Sequence, residues 1–221
     1  MEEIRLIDIK EEILSDNKDL ADKLRERLSK EKVFMLNLMG SPGAGKTSLI
    51  LKTIEYMADH YRIAVVEADI DSVVDSEKVA TQGIRAVQIR TGGFCHVDAS
   101  MVEKAIESLP LDELDLIILE NVGNLVCPAE TDTGAFKNMV ILSVPEGDDK
   151  PLKYPLIFTV CDALVINKLD YMEIADFDVD VFCGRVKALN ENIHVFPLSC
   201  KTSIGIENWI KWLEQEISNI Q

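Results

Sequence analysis

The string Gly40-Ser41-Pro42-Gly43-Ala44-Gly45-Lys46-Thr47 lies between an apolar run over residues 33–39 and a helix-like run over residues 48–57. A glycine-rich turn that leads from a buried strand into a helix leaves few architectures open. Its backbone N–H groups converge on one point, and the helix dipole adds partial positive charge there. Such a turn cradles phosphate: glycines keep Cβ atoms clear of the ligand, Lys46 reaches the β/γ oxygens, and Thr47 offers a hydroxyl to Mg²⁺. The candidate phosphate contacts are therefore Gly43, Ala44, Gly45, Lys46, Thr47 and Ser48.

The rest of the chain fits an α/β protein built around that turn. Apolar segments recur at residues 63–66, 84–89, 116–119, 139–144, 163–166 and 193–196, several separated by helix-like stretches. Continuous apolar strands alternating with helices predict a three-layer P-loop NTPase fold, a mostly parallel sheet with helices on both faces. Residues 10–32 carry Ile13, Leu14, Leu20, Leu24 and Leu28 at helical intervals and read as an N-terminal amphipathic helix. The expected organisation is a helical extension over 1–32 and one globular nucleotide-binding domain over 33–221, which 221 residues at 47% hydrophobic content can supply. The polar stretch Pro145-Glu146-Gly147-Asp148-Asp149-Lys150-Pro151 is rich in turn formers and reads as a mobile loop.

A formal charge of −16 opposes long-range attraction to nucleic acid or anionic lipid, so any polyanion must be held by a local site. No nucleic-acid or membrane partner is expected. No apolar run approaches the roughly 18 residues of a membrane helix, no signal-like segment follows Met1-Glu2-Glu3, and five cysteines in an α/β pattern suit a reducing compartment. The expectation is a soluble, cytoplasmic chain.

Asn167-Lys168-Leu169-Asp170, directly after the strand-like residues 163–166, has the N-K-x-D form of guanine recognition. An Asp carboxylate can accept from both N1–H and the exocyclic amine of guanine, whereas adenine leaves the charge desolvated and unpaired. Ser199-Cys200-Lys201 resembles the S-A-K element that meets guanine O6, with Cys in place of Ala. Mg²⁺ prefers hard oxygens, and Asp69 and Glu120 end strand-like runs where they can join Thr47. Asp71 and Asp75 lie beyond Asp69 in a segment that a γ-phosphate could order, so Lys46, Asp69 and Asp75 are the candidate catalytic groups. Glu120-Asn121-Val122-Gly123 stands where nucleotide switches carry D-x-x-G. No Gln is placed to orient an attacking water, which predicts slow unaided hydrolysis of GTP.

A second chemistry is carried by Cys95, His96 and Cys127. Two thiolates and an imidazole suit Ni²⁺ or Zn²⁺ and are poor for Mg²⁺. Cys95 and His96 can share one ion only across a turn, because neighbouring side chains diverge on extended backbone. Three ligands leave a tetrahedral set incomplete, to be finished by water or by a second copy of the chain across a two-fold axis. Cys161, Cys183 and Cys200 have no ligand-like spacing, and His60 and His194 read as structural.

Together, residues 40–47, Glu67-Ala68-Asp69-Ile70, Gly92-Gly93-Phe94-Cys95-His96, Glu120-Asn121-Val122-Gly123-Asn124-Leu125-Val126-Cys127-Pro128 and Asn167-Lys168-Leu169-Asp170 resemble the HypB family of the SIMIBI class. The resemblance spans roughly residues 33–212. It implies a GTPase that helps load nickel into [NiFe] hydrogenase, forms nucleotide-dependent homodimers, and works with other hydrogenase maturation proteins and the hydrogenase large subunit. By resemblance, Cys95, His96 and Cys127 are the nickel ligands, and Lys46, Thr47, Asp69 and Glu120 serve phosphate and Mg²⁺. Asp170 then reads guanine, and Lys153 contacts nucleotide on the other subunit. The chain lacks the N-terminal C-x-x-C-G-C motif and the His-rich tract of some relatives, which argues against high-affinity nickel storage. Two alternatives stay open: a urease-type nickel-chaperone GTPase, whose C-P-H tripeptide is absent here, and a metal module clamped by GTP with negligible turnover. For base choice, Asp170→Asn is expected to weaken GTP binding and improve xanthosine triphosphate binding, measured by nucleotide titration; an unchanged preference would show that Asp170 does not read the base.

Overall fold

A computed structural model describes residues 9–69 and 82–221, with side chains described from residue 15 onward within those ranges. Its centre is strand β1 (Phe34–Gly40), whose seven residues are all buried. It is flanked by β4 (Leu116–Glu120) and β5 (Lys137–Ser143), with β2 (Ile63–Asp69) and β3 (Arg85–Arg90) on one side and β6 (Ala163–Asn167) and β7 (His194–Pro197) on the other. The order is β3-β2-β4-β1-β5-β6-β7, and every pairing is parallel. The expected apolar segments are thus all strands, and the mostly parallel sheet is wholly parallel among the described residues.

Alternation along β1 sorts its side chains to two faces. Phe34, Leu36 and Leu38 pack with Leu49, Ile50, Ile54 and Met57 of helix α2 (Lys46–Met57) and with Trp209, Ile210 and Leu213 of the C-terminal helix (Ile206–Ser218). The Trp209 indole N–H, fully buried, donates to Thr53 Oγ1 at 3.0 Å, whereas the neighbouring Trp212 indole N–H is buried without a hydrogen-bond partner. On the opposite face Met35, Val66 and Ile117 meet Leu24 and Leu28 of helix α1 (Ile9–Glu31) and Val102 and Ile106 of helix α3 (Ala99–Ile106). Helices therefore cover both faces, as a continuously apolar parallel sheet requires.

Helix α1 is docked as well as amphipathic. Leu24 and Leu28 are buried, Arg25 Nε donates to the Ala135 carbonyl at 3.2 Å, its guanidinium pairs with Asp132, and Asn17 accepts from the Ala99 N–H at 2.9 Å. The helix stops at Lys32, which adopts a left-handed φ of 59°. There the N–H groups of Lys32 and Val33 return to the carbonyls of Ser29 and Leu28, satisfying two of the last-turn acceptors before β1 begins. Of the apolar positions read on this helix, the side chains of Ile13 and Leu14 lie outside the described residues.

The stretch at 145–151 differs from the expected mobile loop. Residues Val144–Glu146 form a 3-10 turn closed by a reciprocal cap between Ser143 and Glu146, and Arg185 Nη1 binds both the carbonyl and the carboxylate of Asp148. Glu146 and Asp148 are thereby bonded to the scaffold. Helix α1 makes the fold's energetic prediction: Leu28→Ala is expected to cost about 2–5 kcal/mol of global stability through lost burial and a cavity. A loss below about 1 kcal/mol in denaturant unfolding would show that the helix does not share the cooperative core.

Candidate functional site

The carboxyl ends of β1, β2 and β4 open onto a cleft of about 610 Å³ lined by Gly43, Gly45, Lys46, Thr47, Ser48, Asp69, Glu120 and Lys168 among others. This is the edge at which parallel α/β sheets bind ligands. Gly45 caps α2 in a left-handed conformation, φ 106°, and a Cβ there would collide with the Asn167 side chain. Lys46 and Thr47 follow as the first helical residues, so their N–H groups belong to the unpaired first turn that attracts anions. Lys46 is folded back over the loop, 3.4 Å from the Gly40 carbonyl and 3.5 Å from that of Ser41.

Thr47 Oγ1 lies 3.1 and 3.2 Å from the two oxygens of Glu120, because the β1–β4 register sets Leu38 beside Glu120. The β2–β4 register sets Glu67 beside Glu120 in turn, and both are nearly buried, at 4% and 6% exposure. Two carboxylates brought side by side out of water favour a cation or a shared proton. A hydroxyl and several hard oxygens at one point fit Mg²⁺, with Asp69 at the same strand end. Glu67 was not among the sequence candidates. Its signal is a charge within the apolar run 63–68, two residues before Asp69 and therefore on the same face of the strand. Asp71 and Asp75 lie outside the described residues.

The base side is assembled by three loops. Asn167 is buried; its Nδ2 donates to the Ala44 carbonyl at 3.0 Å, and its Oδ1 accepts from the N–H groups of Lys168 and Cys200. It therefore braces the phosphate loop to the loop after β7. Lys168, left-handed at φ 63°, donates from Nζ to the Gly43 carbonyl at 2.7 Å. Asp170 accepts from Ser199 Oγ at 2.6 Å and has Lys201 Nζ at 3.7 Å. The Ser199 hydrogen bond is the main reason that the Asp170 carboxyl is held below its ordinary range, ionised as a guanine acceptor must be. Ala44 and Cys200 are buried in the core, where burial pushes the Cys200 thiol up to about 11, and Cys161 is likewise buried and raised. Lys153 is not brought into this cleft: it is exposed and pairs with Asp149 at 2.5 Å.

The soft ligands converge in a separate place. The donor atoms of Cys95, His96 and Cys127 all lie within 4.8 Å of one another, each half-buried. Cys95 Sγ is 2.8 Å from Cys127 Sγ and 3.9 Å from His96 Nδ1. A turn leads into the ligands, with Gly92 and Gly93 at φ of 63° and 102° and the Phe94 N–H returned to the Thr91 carbonyl, and the backbone then bends at Cys95 and His96 themselves. Val97, wholly buried, and Asp98, which caps α3 through the Met101 N–H, anchor the far side of this loop.

Residues 120–127 join the two places. From Glu120 at the Thr47 hydroxyl, the chain passes through Asn121, whose backbone N–H donates to the Leu38 carbonyl. The Asn121 side chain accepts from the Val97 N–H at 3.3 Å and donates to Asn37 at 3.1 Å. Gly123 packs against Pro42 of the phosphate loop, where a Cβ would sit 2.9 Å from Pro42 Cγ, and Cys127 follows. Asn121 reads in the sequence only as a member of the 120–123 string, and its bracing role stays hidden there because its partners Asn37 and Val97 are distant in the chain.

Residues 34–197 match the family model described as CobW/HypB/UreG, nucleotide-binding domain. The hydrogenase maturation factor HypB of Escherichia coli K12 is 38% identical over 216 residues, covering 98% of this chain and 74% of that protein. The probable hydrogenase maturation factor HypB of Methanocaldococcus jannaschii is 39% identical over 218 residues, 99% of each chain. A crystal structure of HypB from Helicobacter pylori in complex with nickel superposes with a TM-score of 0.88 at 38% identity, covering 93% of this chain and 97% of that one. Among the described residues no helix is long and apolar enough to cross a membrane.

The thiols generate a pH prediction. The hydrogen bond to Cys127, followed by burial, raises the Cys95 thiol above its ordinary value, so it is protonated at neutral pH and must release its proton to bind metal. Apparent affinity for Ni²⁺ is therefore expected to rise from pH 6 to pH 8, by up to about tenfold per unit for each proton released; a pH-independent dissociation constant would contradict thiolate ligation.

Proposed function

This chain belongs to the CobW/HypB/UreG family, on its HypB branch, and from that premise we propose that it is a GTP-hydrolysing metallochaperone that carries nickel and assists its insertion into [NiFe] hydrogenase. The observation that carries the reading is the shared segment 120–127, which has at one end a carboxylate that accepts from the Thr47 hydroxyl and at the other a soft metal ligand.

On the nucleotide side, the N–H groups of residues 43–48 and the Lys46 ammonium neutralise the β/γ phosphates, a role that the helix N-terminus supports. Thr47, Glu120 and Asp69, with Glu67 beside them, would hold Mg²⁺, which supplies charge neutralisation at the phosphates. Asp170, kept ionised by Ser199, receives the guanine N1–H and amine, while Asn167 and Lys168 hold the base loop onto the phosphate loop. Lys46, Asp69 and Asp75 remain the proposed catalytic groups, of which Asp75 lies outside the described residues. Turnover is slow because no glutamine is supplied to orient the attacking water.

On the metal side, Cys95, His96 and Cys127 take Ni²⁺ as cargo, with Zn²⁺ the competing ion for the same soft donor set. Three protein ligands leave room for a donor from water, a client protein or a second copy of the chain. A nucleotide-dependent homodimer is the arrangement in which exposed Lys153 leaves Asp149 for the neighbouring nucleotide. The recipients are the hydrogenase large subunit and its other maturation proteins, and the site of action is the cytoplasm.

The test is a Ni²⁺ titration of GDP-loaded and GTP-analogue-loaded protein, with phosphate release followed in parallel with and without Mg²⁺. The dissociation constants are expected to differ by at least about fivefold between the two states. Cys127→Ala should weaken nickel binding at least about tenfold, and release should be slow and Mg²⁺-dependent. Equal affinities in the two states would remove the coupling by linkage, and release no faster than the uncatalysed rate would remove the enzymatic role.

A further inference from the structure

Asn124 is the residue at which the two sites meet. Its backbone N–H donates to the carbonyl of Gly40, the first residue of the phosphate loop, at 3.1 Å, and the two residues form an antiparallel bridge outside the main sheet. Its side chain turns the other way. Nδ2 donates to the carbonyl of Cys95 at 3.3 Å, and Oδ1 accepts at 2.9 Å from the N–H of Val126, the residue directly before Cys127. One main-chain bond thus reads the phosphate loop, while one amide group addresses the segments that carry both thiols.

We propose that Asn124 is the positioning residue that transmits nucleotide state to the metal ligands, an inference that rests on the coupled function proposed above. Gly123, immediately before it, lies against Pro42 with no room for a side chain, so a shift of the phosphate loop displaces residues 123 and 124 together. Such a displacement reaches Cys95 through a single amide and Cys127 through the capped turn at 124–126. Asn121 makes a second link, to the Val97 N–H, but it is buried and tied to Asn37 within β1, which makes it an anchor about which the segment moves.

The residue type follows from the geometry. A donor to one segment and an acceptor from another must sit on one short side chain, and among side chains of this length the carboxamide of Asn supplies both in fixed orientation. Asp keeps the acceptor for Val126 and loses the donor to Cys95; Ala loses both. Neither substitution replaces Cys95, His96, Cys127 or a phosphate contact, and both keep the main-chain bond to Gly40.

The test is Ni²⁺ titration of Asn124→Ala and Asn124→Asp beside the unaltered chain, each loaded with GDP or a non-hydrolysable GTP analogue, following the thiolate-to-nickel charge-transfer absorption. In the unaltered chain the two dissociation constants should differ, within the range of about 5–150-fold typical of coupled sites, and the band should move with nucleotide. In both variants the ratio is expected to fall to within about twofold of one, with nickel still giving the charge-transfer band and the band no longer moving. A wild-type ratio in both variants overturns the proposal, as does a variant pair in which Asp retains the ratio and Ala loses it, since the Cys95 arm then carries nothing. A ratio of one in the unaltered chain sinks the coupled function itself and this inference with it, a failure visible before either variant is measured. Should Asn124→Ala not fold, the isosteric Asn124→Asp decides.

Discussion

The parallel register between β1 and β4 is the constraint from which the rest of the site follows. It sets Leu38 beside Glu120 and so brings a carboxylate within hydrogen-bond reach of the Thr47 hydroxyl at the start of α2. The chain must then leave the sheet at the phosphate loop, and it does so pressed against it, with the Asn121 N–H on the Leu38 carbonyl, Gly123 on Pro42 and the Asn124 N–H on the Gly40 carbonyl. Cys127 arrives opposite the Gly92-Gly93 turn because this path is fixed at each of those points. A register slip of one residue would turn Glu120 to the other face of the sheet and separate the two sets of ligands.

Electrostatics explains why the site needs such exact placement. At a formal charge of −16 the molecule as a whole repels a nucleotide, so affinity has to come from the converging N–H groups of the α2 first turn and the Lys46 ammonium. Glu67 and Glu120 lie side by side within the same cleft, and their nearness favours a bound cation over an anion alone. A nucleotide accompanied by Mg²⁺ satisfies both demands at once. The soft donors stand outside this hard-oxygen cleft, which keeps the two metal chemistries apart by ligand type as well as by position.

Much of this was legible in the chain because it depends on local order. The phosphate turn, the seven strands and the residues carrying soft donors are written in consecutive residues or short spacings. What stayed hidden depends on pairing between distant segments. Glu67 gains meaning only from its register with Glu120. Asn121 is read only beside Asn37, 84 positions away, and Asn124 only beside Gly40 and Cys95. The polar stretch at 145–151 misled for the same reason: turn residues look alike whether they bond to water or, as with Glu146 and Ser41, to the phosphate loop. Lys153, paired with Asp149 in a single chain, would acquire a role only in an assembly that local sequence does not specify.

The central claim is that the first shell around nickel differs between nucleotide states because residues 120–127 belong to both sites. Nickel K-edge X-ray absorption on protein loaded with GDP and with a GTP analogue examines that shell directly. The account predicts sulfur and imidazole scattering in both samples, with a changed coordination number or nickel–sulfur distance between them. Superimposable spectra, or a shell made only of oxygen, would contradict it.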